Sequence, residues 1–259
     1  AQTIRINPID GAEMIYVPPG PFIVGGKQDD WYVNEEDTTP KRTITLPGFW
    51  MYRNLVTVAQ YKHYCTATRR KMPRPPEWGW EDLHPIVNIT FAEAIAYTAW
   101  AKAQLPSEAQ WEKAVRGTDG RLYPWGTKWN RSNDINCNLD DYHGTRPVGS
   151  ITSCQSIYGI QDLLGNVWEF CYPNYGRQWK VVKGRKTLVT VFFEEPFTQS
   201  NVRHGGDYWR YENGDLLVDA VCRGGSWRNS DPCHSAVYRN GTTGGSDDDK
   251  GFRCVIPSS

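Results

Sequence analysis

The amino-acid sequence predicts an α+β fold with few helices and many loops. Helix-start signals are confined to the first half of the chain, whereas short strand-like segments and turn signals dominate the second half. The chain contains 24 Gly and 17 Pro, a composition that favours frequent turns over long helices. Because no Pro/Ser-rich linker interrupts the 259 residues, we expect one domain over 1–259.

The first part of the chain has the pattern of β-structure. Glu13–Val17 is rich in apolar residues, a Pro-Pro-Gly turn follows it, and Phe22–Val24 resumes the apolar run. Arg42–Leu46 then alternates polar and apolar residues, which is typical of a half-buried strand.

Three capping boxes predict three helices. In each box a Ser or Thr N-cap is followed three residues later by Glu or Gln, so that side chains satisfy the free backbone N–H groups of the first turn. The boxes are Thr57 with Gln60 before Tyr61–Thr66, Thr90 with Glu93 before the Ala-rich stretch Ala94–Gln104, and Ser107 with Gln110 in a helix that Gly117 ends.

The bulk composition excludes some classes of function. Lys plus Arg is 29 and Asp plus Glu is 29, so the chain lacks the basic excess typical of nucleic-acid-binding proteins. No apolar run reaches the roughly 18 residues of a membrane helix. The chain begins Ala1-Gln2, which is compatible with a processed export signal. We therefore expect an exported or cell-surface protein, with the cytoplasm as the alternative.

Seven cysteines leave at least one thiol unpaired within the chain. No pair has C-x-x-C spacing, so the sequence does not favour a zinc site or a thioredoxin-type motif. Buried free thiols and a few disulfides both remain open. The cysteines are Cys65, Cys137, Cys154, Cys171, Cys222, Cys233 and Cys254.

Seven segments together resemble the formylglycine-generating-enzyme (sulfatase-modifying factor) family. They occur in the family's order, at similar spacing, and cover nearly the whole chain. The segments are Met14–Gly20, Leu105–Glu112, Tyr123–Gly126, Pro147–Ser150, Tyr158–Glu169, Arg223–Trp227 and Gly251–Cys254. The resemblance implies an irregular C-type lectin fold.

The resemblance also indicates that the oxidase chemistry of the family is missing. Family members that oxidise sulfatase cysteines carry two active-site cysteines just after the Gly-Gly-Ser motif, and here Asn229 and His234 occupy those positions. Cys233 lies beside the second position without a partner thiol. We therefore expect no enzyme activity. The alternative is a metal-dependent oxidase or sulfoxide-synthase-like enzyme with altered active-site residues, such as Cys233 and His234, although no two histidines have metal-ligand spacing.

A structural calcium ion is a further implication of the resemblance. The matching ligands are the side chains of Asp162 and Glu169 and the backbone carbonyls of Gly165 and Val167, an oxygen set that suits Ca²⁺. The alternative is that Asp162 and Glu169 only hold the loop by hydrogen bonds. A second family site would use Asn138 and the carbonyl of residue 139. No organic cofactor is expected.

The segment Arg223–Cys254 is the expected recognition site. Between its Gly-Gly-Ser-Trp and Gly-Phe-Arg motifs it carries small polar residues with a Tyr and a His. This mixture is typical of a solvated loop and also suits an adaptable contact surface, and the resemblance decides for the second interpretation. It resembles the C-terminal variable region of diversity-generating retroelement variable proteins, a noncatalytic branch of this fold. The partner would be a protein or another cell-surface ligand, bound by a monomer. The expected ligand-binding residues are Arg228, Asn229, Ser230, Asp231, His234, Tyr238, Asn240, Thr242 and Thr243.

The segment 176–220 has the character of an insertion relative to family members with a short link at this place. It contains several aromatic residues among charged ones. These aromatics either extend the ligand surface or pack the insertion onto the body, and packing is the more common role.

Overall fold

A four-stranded antiparallel sheet unites distant parts of the chain. The computed structural model describes residues 2–26, 41–129, 144–172, 221–229, 234–242 and 244–258, and the backbone alone of 175–182, 185–192, 209–210, 216–218 and 220. The strands of this first sheet, in spatial order, are β1 (Ile4–Ile6), β2 (Glu13–Val17), β5 (Phe49–Tyr52) and β14 (Val255–Pro257). The C-terminal strand β14 therefore completes a sheet that the N-terminal segment begins.

A hairpin and a central sheet complete the β-structure of the body. The hairpin pairs β3 (Gly20–Val24) with β4 (Arg42–Leu46). In the central sheet β6 (Trp168–Cys171) lies between antiparallel β11 (Ala220–Arg223) and parallel β13 (Lys250–Gly251). The fourth strand, β12 (Arg239–Thr242), pairs antiparallel with β11 at the edge. This strand order places β11, which leads into the segment 223–254, and β13, near the end of that segment, on either side of β6.

All three predicted capping boxes form. Both reciprocal hydrogen bonds of each box are present at Thr57, Thr90 and Ser107. The helices they start are α1 (Val58–Thr68), α2 (Phe91–Trp100) and α3 (Glu108–Arg116). The α+β class with few helices is thus confirmed among the described residues.

Helix α2 ends four residues earlier than the predicted stretch Ala94–Gln104. The chain leaves the helix at Ala101, and Lys102 adopts a left-handed φ of 54°. Gln104 then exchanges two backbone hydrogen bonds with Val255 of β14, at 3.0 and 2.8 Å. The chain therefore forms this long-range pairing instead of continuing the helix, although the Ala-rich sequence alone favours a helix.

An aromatic cluster joins the helices to the sheets. Tyr97 of α2 stacks on Tyr61 of α1 at 5.7 Å between ring centroids and meets Phe252 edge-to-face at 5.3 Å. Tyr97 also donates a hydrogen bond to Asp10 at 2.7 Å, as does Tyr52 at 2.8 Å. The core thus ties the N-terminal loop, two helices and the segment after β13 into one body.

The segment predicted as an insertion forms a sheet of its own. Its backbone builds β7 (Tyr175–Val182), β8 (Arg185–Phe192), β9 (Trp209–Arg210) and β10 (Leu216–Val218), in the spatial order β8-β7-β10-β9. The expected role of its aromatics lies outside the described residues. In the described part of the chain, no helix is both long enough and apolar enough to cross a membrane.

Candidate ligand surface and the frame beneath it

Two glycines shape the turn that leads from β11 into the candidate site. Gly224 and Gly225 have φ values of 96° and 74°, a region that side chains other than glycine rarely adopt. A Cβ atom on Gly224 would lie 2.7 Å from the carbonyl oxygen of Leu163. The turn delivers Trp227, which is 8% exposed, so that its backbone N–H donates to the Asn166 carbonyl at 3.0 Å.

Arg223 anchors this turn to helix α3 through buried charges. Its side chain is fully buried, and its Nη2 donates to Glu112 at 3.0 Å and to the Ala236 carbonyl at 2.8 Å. Arg116 Nη1 donates to the other Glu112 oxygen at 2.6 Å, while Arg239 Nε donates to Glu108 at 2.7 Å. Glu108 and Glu112 lie one turn apart on α3. One face of this helix therefore binds Arg223, at the start of the segment 223–254, and Arg239, in its middle.

Arg253 fixes the other end of the segment. It forms a fully buried ion pair with Glu169, with Nε to Oε2 at 2.6 Å and Nη2 to Oε1 at 2.9 Å. The same guanidinium donates to the carbonyls of Tyr52, Arg53, Gln161 and Asp162. We call Arg223–Trp227 together with Gly251–Arg253 the frame, because the side chains of Arg223, Ser226 and Arg253 are buried and hydrogen-bonded there.

Ser226 organises the loop that follows the frame. Its hydroxyl lies 2.7 Å from Asn229 Oδ1 and 3.1 Å from Asp249 Oδ2, and its N–H donates to Asn229 Oδ1 at 3.0 Å. His234 is fully buried, with Nε2 at 3.1 Å from the Ser226 carbonyl oxygen. Asn229 and His234, which the resemblance assigns to the two family cysteine positions, therefore both contact Ser226.

The predicted recognition residues divide into surface and interior. Arg228 is exposed, and Asn229, Tyr238 and Asn240 are half-buried; these four residues are called the surface below. His234 and Thr242 are buried, so their expected solvent exposure is wrong. His234 turns inward because it meets the Ser226 carbonyl and the Trp129 ring, at 6.4 Å between ring centroids. Ser230, Asp231 and Thr243 lie outside the described residues.

Other residues beside the surface were missed by the sequence analysis. The Trp78 and Trp227 rings meet edge-to-face at 5.5 Å between their centroids, and the Arg228 guanidinium lies over the Trp227 ring, 4.9 Å from its centroid. Arg228 also pairs with Asp247 at 3.5 Å and Asp248 at 2.5 Å. No local pattern around Trp78 signals this contact, because it arises from a loop about 150 residues away along the chain.

Two of the predicted calcium ligands, Asp162 and Glu169, both contact Arg253 of the frame. Asp162 is 4% exposed and accepts the Gly149 N–H at 2.6 Å, and burial raises its pKa to about 6. A cation would stabilise such a buried carboxylate, and the resemblance implies the carbonyls of Gly165 and Val167 as its further ligands. Both Glu169 oxygens already accept hydrogen bonds from Arg253. Glu169 thus has a structural role whether or not calcium binds, and calcium stays a prediction. The second site, at Asn138, lies outside the described residues.

Four of the described thiols lie in the protein interior. Cys65, Cys171, Cys222 and Cys254 are buried and free, and burial raises the pKa of each. A raised pKa keeps these sulfur atoms protonated, which disfavours nucleophilic attack by them. Cys137 and Cys233 lie outside the described residues.

The comparisons with known proteins show the family. A model of the sulfatase-modifying factor enzyme 1-like domain matches residues 2–257, so the chain belongs to this family. A formylglycine-generating enzyme from Thermomonospora curvata is 26% identical over 257 residues, which cover 77% of this chain and 84% of that protein.

Two solved structures share the fold along the whole chain. PvdO from Pseudomonas aeruginosa has a TM-score of 0.72 at 22% identity and covers 99% of this chain and 98% of its own. Treponema denticola variable protein 1 has a TM-score of 0.65 at 17% identity and covers 100% of this chain and 99% of its own. At these identities the likeness concerns the fold, which confirms the predicted architecture.

Proposed function

We propose that this member of the sulfatase-modifying factor family is a noncatalytic binding protein, whose surface recognises a protein or another cell-surface ligand. The observation that carries the proposal is which residues occupy the two positions where the family's oxidases have cysteines. Asn229 and His234 stand there, and both hold the Ser226 loop instead of presenting thiols. A pair of thiols is the requirement for the family's copper-dependent oxidation.

The arrangement of the segment supports recognition. A binding site that tolerates substitution needs side chains whose removal leaves the fold intact, carried on a rigid support. Arg228 meets this condition, since its side chain is 44% exposed and contacts two aspartates and a ring face. Tyr238 directly precedes the edge strand β12, and Asn240 lies within that strand. Half-exposed side chains at this edge can contact a partner.

The origin of the surface is the finer part of the proposal. We infer that it is diversified by a retroelement, as in the variable proteins that the segment resembles. The fold shared with Treponema denticola variable protein 1 supports this inference. The genomic test is the neighbouring DNA, where a near-copy template repeat and a reverse transcriptase gene are expected. If both are missing, the retroelement origin fails while binding itself remains testable.

An oxidase assay tests the noncatalytic part. The protein, with and without added copper, is incubated with a peptide that carries the cysteine motif of a sulfatase, and aldehyde formation is followed by mass spectrometry. A functional formylglycine-generating enzyme is the positive control. We expect no aldehyde above background, and robust turnover would overturn the proposal. If turnover occurred, Cys233→Ala would show whether the thiol next to His234 supplies it.

A ligand screen tests the binding part. Variants that differ only at Arg228, Asn229, Tyr238 and Asn240 are screened against a panel of surface proteins and cells. The matched control changes Lys62 and Thr66, two exposed residues of α1. We expect surface variants to change partner selection and the control to leave it unchanged. Identical selection in both sets would contradict a binding role for the surface.

A further inference from the structure

Three consecutive aspartates precede β13 and turn their carboxylates together. One carboxylate oxygen each from Asp247, Asp248 and Asp249 lies within 4.8 Å of the others. Consecutive side chains of an extended strand would point to opposite faces, so the turn at Asp248 and Asp249 is what groups them. Calcium–oxygen distances are about 2.4 Å, so oxygens around one Ca²⁺ ion are at most about 4.8 Å apart.

Asp249 provides the observation that points to a ligand. Its side chain is 8% exposed, and its Oδ1 atom is buried without a hydrogen-bond partner in the described part of the chain. Its Oδ2 atom lies 3.1 Å from the Ser226 hydroxyl. A buried carboxylate oxygen without a donor is costly, and a bound cation removes that cost.

The backbone of the aspartate turn is already held by other groups. The Asp247 carbonyl accepts the Asn88 N–H at 2.9 Å, and the Asp249 carbonyl accepts the Trp168 N–H at 2.8 Å. The Trp227 indole N–H donates to the Asp248 carbonyl at 3.3 Å. The carboxylates therefore lie in a turn that needs no reordering of its main chain before a cation binds.

The charges around the three aspartates favour the binding of a cation. Arg228 and Lys250 pair with Asp247, and Arg228 also pairs with Asp248, but Asp249 has no ion-pair partner among the described residues. The Glu77 charge also acts on Asp248 and, after burial, contributes to the raised pKa of that carboxyl. The three carboxylates thus outnumber the two cations that face them.

We propose that Asp247, Asp248 and Asp249 bind a hard divalent cation, with Ca²⁺ as the best fit, directly beside the surface. Binding would displace the Arg228 guanidinium from Asp247 and Asp248, because both compete for the same oxygens. Arg228 would then be free to contact a ligand, and the cation would adjust the surface. The cation site itself does not depend on whether the surface binds a ligand, so it can be tested alone.

Calorimetric titration with CaCl₂, after chelation and dialysis, tests the proposal. Asp249→Asn keeps the side-chain shape and an oxygen near Ser226 but removes the buried charge, and we expect it to weaken one Ca²⁺ affinity by at least about tenfold. Asp162→Asn is the matched control, because it removes the carboxylate predicted to bind the family calcium. Arg228→Ala should tighten the same affinity by about two- to fivefold, since it removes a competing exposed cation. A parallel titration with MgCl₂ should show weaker binding, because Mg²⁺ needs a tighter oxygen shell.

Two results would overturn the proposal. One is the absence of saturable Ca²⁺ binding in the unmodified protein. The other is binding that Asp162→Asn abolishes and Asp249→Asn leaves unchanged, which would assign the ion to the family position alone. Should Asp249→Asn fail to fold by circular dichroism, the double variant Asp247→Asn/Asp248→Asn, at two more exposed positions, decides by the same criterion.

Discussion

The frame and the surface are neighbours in sequence and opposites in physical character. Arg253 in the frame is fully buried and bound to Glu169 and to four backbone carbonyls. Arg228 on the surface has a side chain that is 44% exposed, and its ion pairs to Asp247 and Asp248 face solvent. The same residue type is thus buried within the core at one position and largely exposed at the other. How well a position tolerates substitution therefore depends on how deeply its side chain is buried and how many hydrogen bonds it makes. Residue type alone does not determine it.

The largest effect should come from breaking the buried pair of the frame. We expect Arg253→Leu to lower the free energy of unfolding by about 3–5 kcal/mol, because it leaves the Glu169 charge buried and unpaired. Urea unfolding followed by circular dichroism measures this change. The double variant Arg253→Leu/Glu169→Leu should recover part of the loss, whereas equal losses in both variants would contradict an ion-pair role.

The Gly-Gly turn should be the next most sensitive position. We expect Gly224→Ala to cost more than about 2 kcal/mol, because a side chain at this φ is strained and its Cβ meets the Leu163 carbonyl. Gly11→Ala is the control, since Gly11 also has positive φ but has no atom within 4 Å of an added Cβ. Urea unfolding of both variants should show the larger loss at Gly224; equal losses would mean that close packing at the frame contributes nothing.

The capping box of α3 should have an intermediate effect. Ser107→Ala removes the hydroxyl that accepts the Gln110 N–H at 3.1 Å, and we expect a loss of about 1 kcal/mol. Thr66→Ala, at an exposed position within α1, should change stability by less than about 0.5 kcal/mol. Thermal and urea unfolding of the two variants check the difference. A silent Ser107 variant would show that α3 is held by its buried glutamates without help from its cap.

A surface charge should matter least, and salt should remove its effect. We expect Arg228→Ala to cost less than about 1 kcal/mol at low salt and nothing measurable in 1 M NaCl, because the exposed pair is screened. The Arg253 effect should persist in the same buffer. A salt-resistant loss at Arg228 would mean that its ion pairs stabilise the fold in the way the buried pair of Arg253 does.

Buried His84 should make stability depend on pH without changing the surface. Burial lowers the pKa of His84, so the unfolded chain binds its proton more readily than the folded chain does. Its stabilising contribution is therefore present above the unfolded pKa of about 6.5 and is lost as the pH falls. Unfolding experiments between pH 8 and pH 5 should show a shallower slope for His84→Gln, while the exposed control His63→Gln should keep the original slope.

Local signals in the sequence were sufficient for the helices, and ordered motifs were sufficient for the family fold. The capping boxes formed because their hydrogen bonds join residues only three apart. The end of α2 was missed because it depends on Val255, which is 151 residues from Gln104 along the chain. Within the candidate site, the burial of His234 and the position of Trp78 were missed for the same reason. A polar residue is buried only where a distant partner satisfies it, and a sequence pattern cannot show that partner.

The closure of the first sheet by β14 has a consequence for how new versions of the surface could arise. Every residue of the surface is translated before β13, Arg253 and β14, and those later elements supply the buried ion pair and the last strand. A stop codon or frameshift within 228–250 would remove all of them, so the remaining chain would lack part of its core. We expect such products to be degraded, whereas in-frame substitutions at the surface yield folded protein. Only variants whose coding sequence keeps its length and reading frame would then fold and persist.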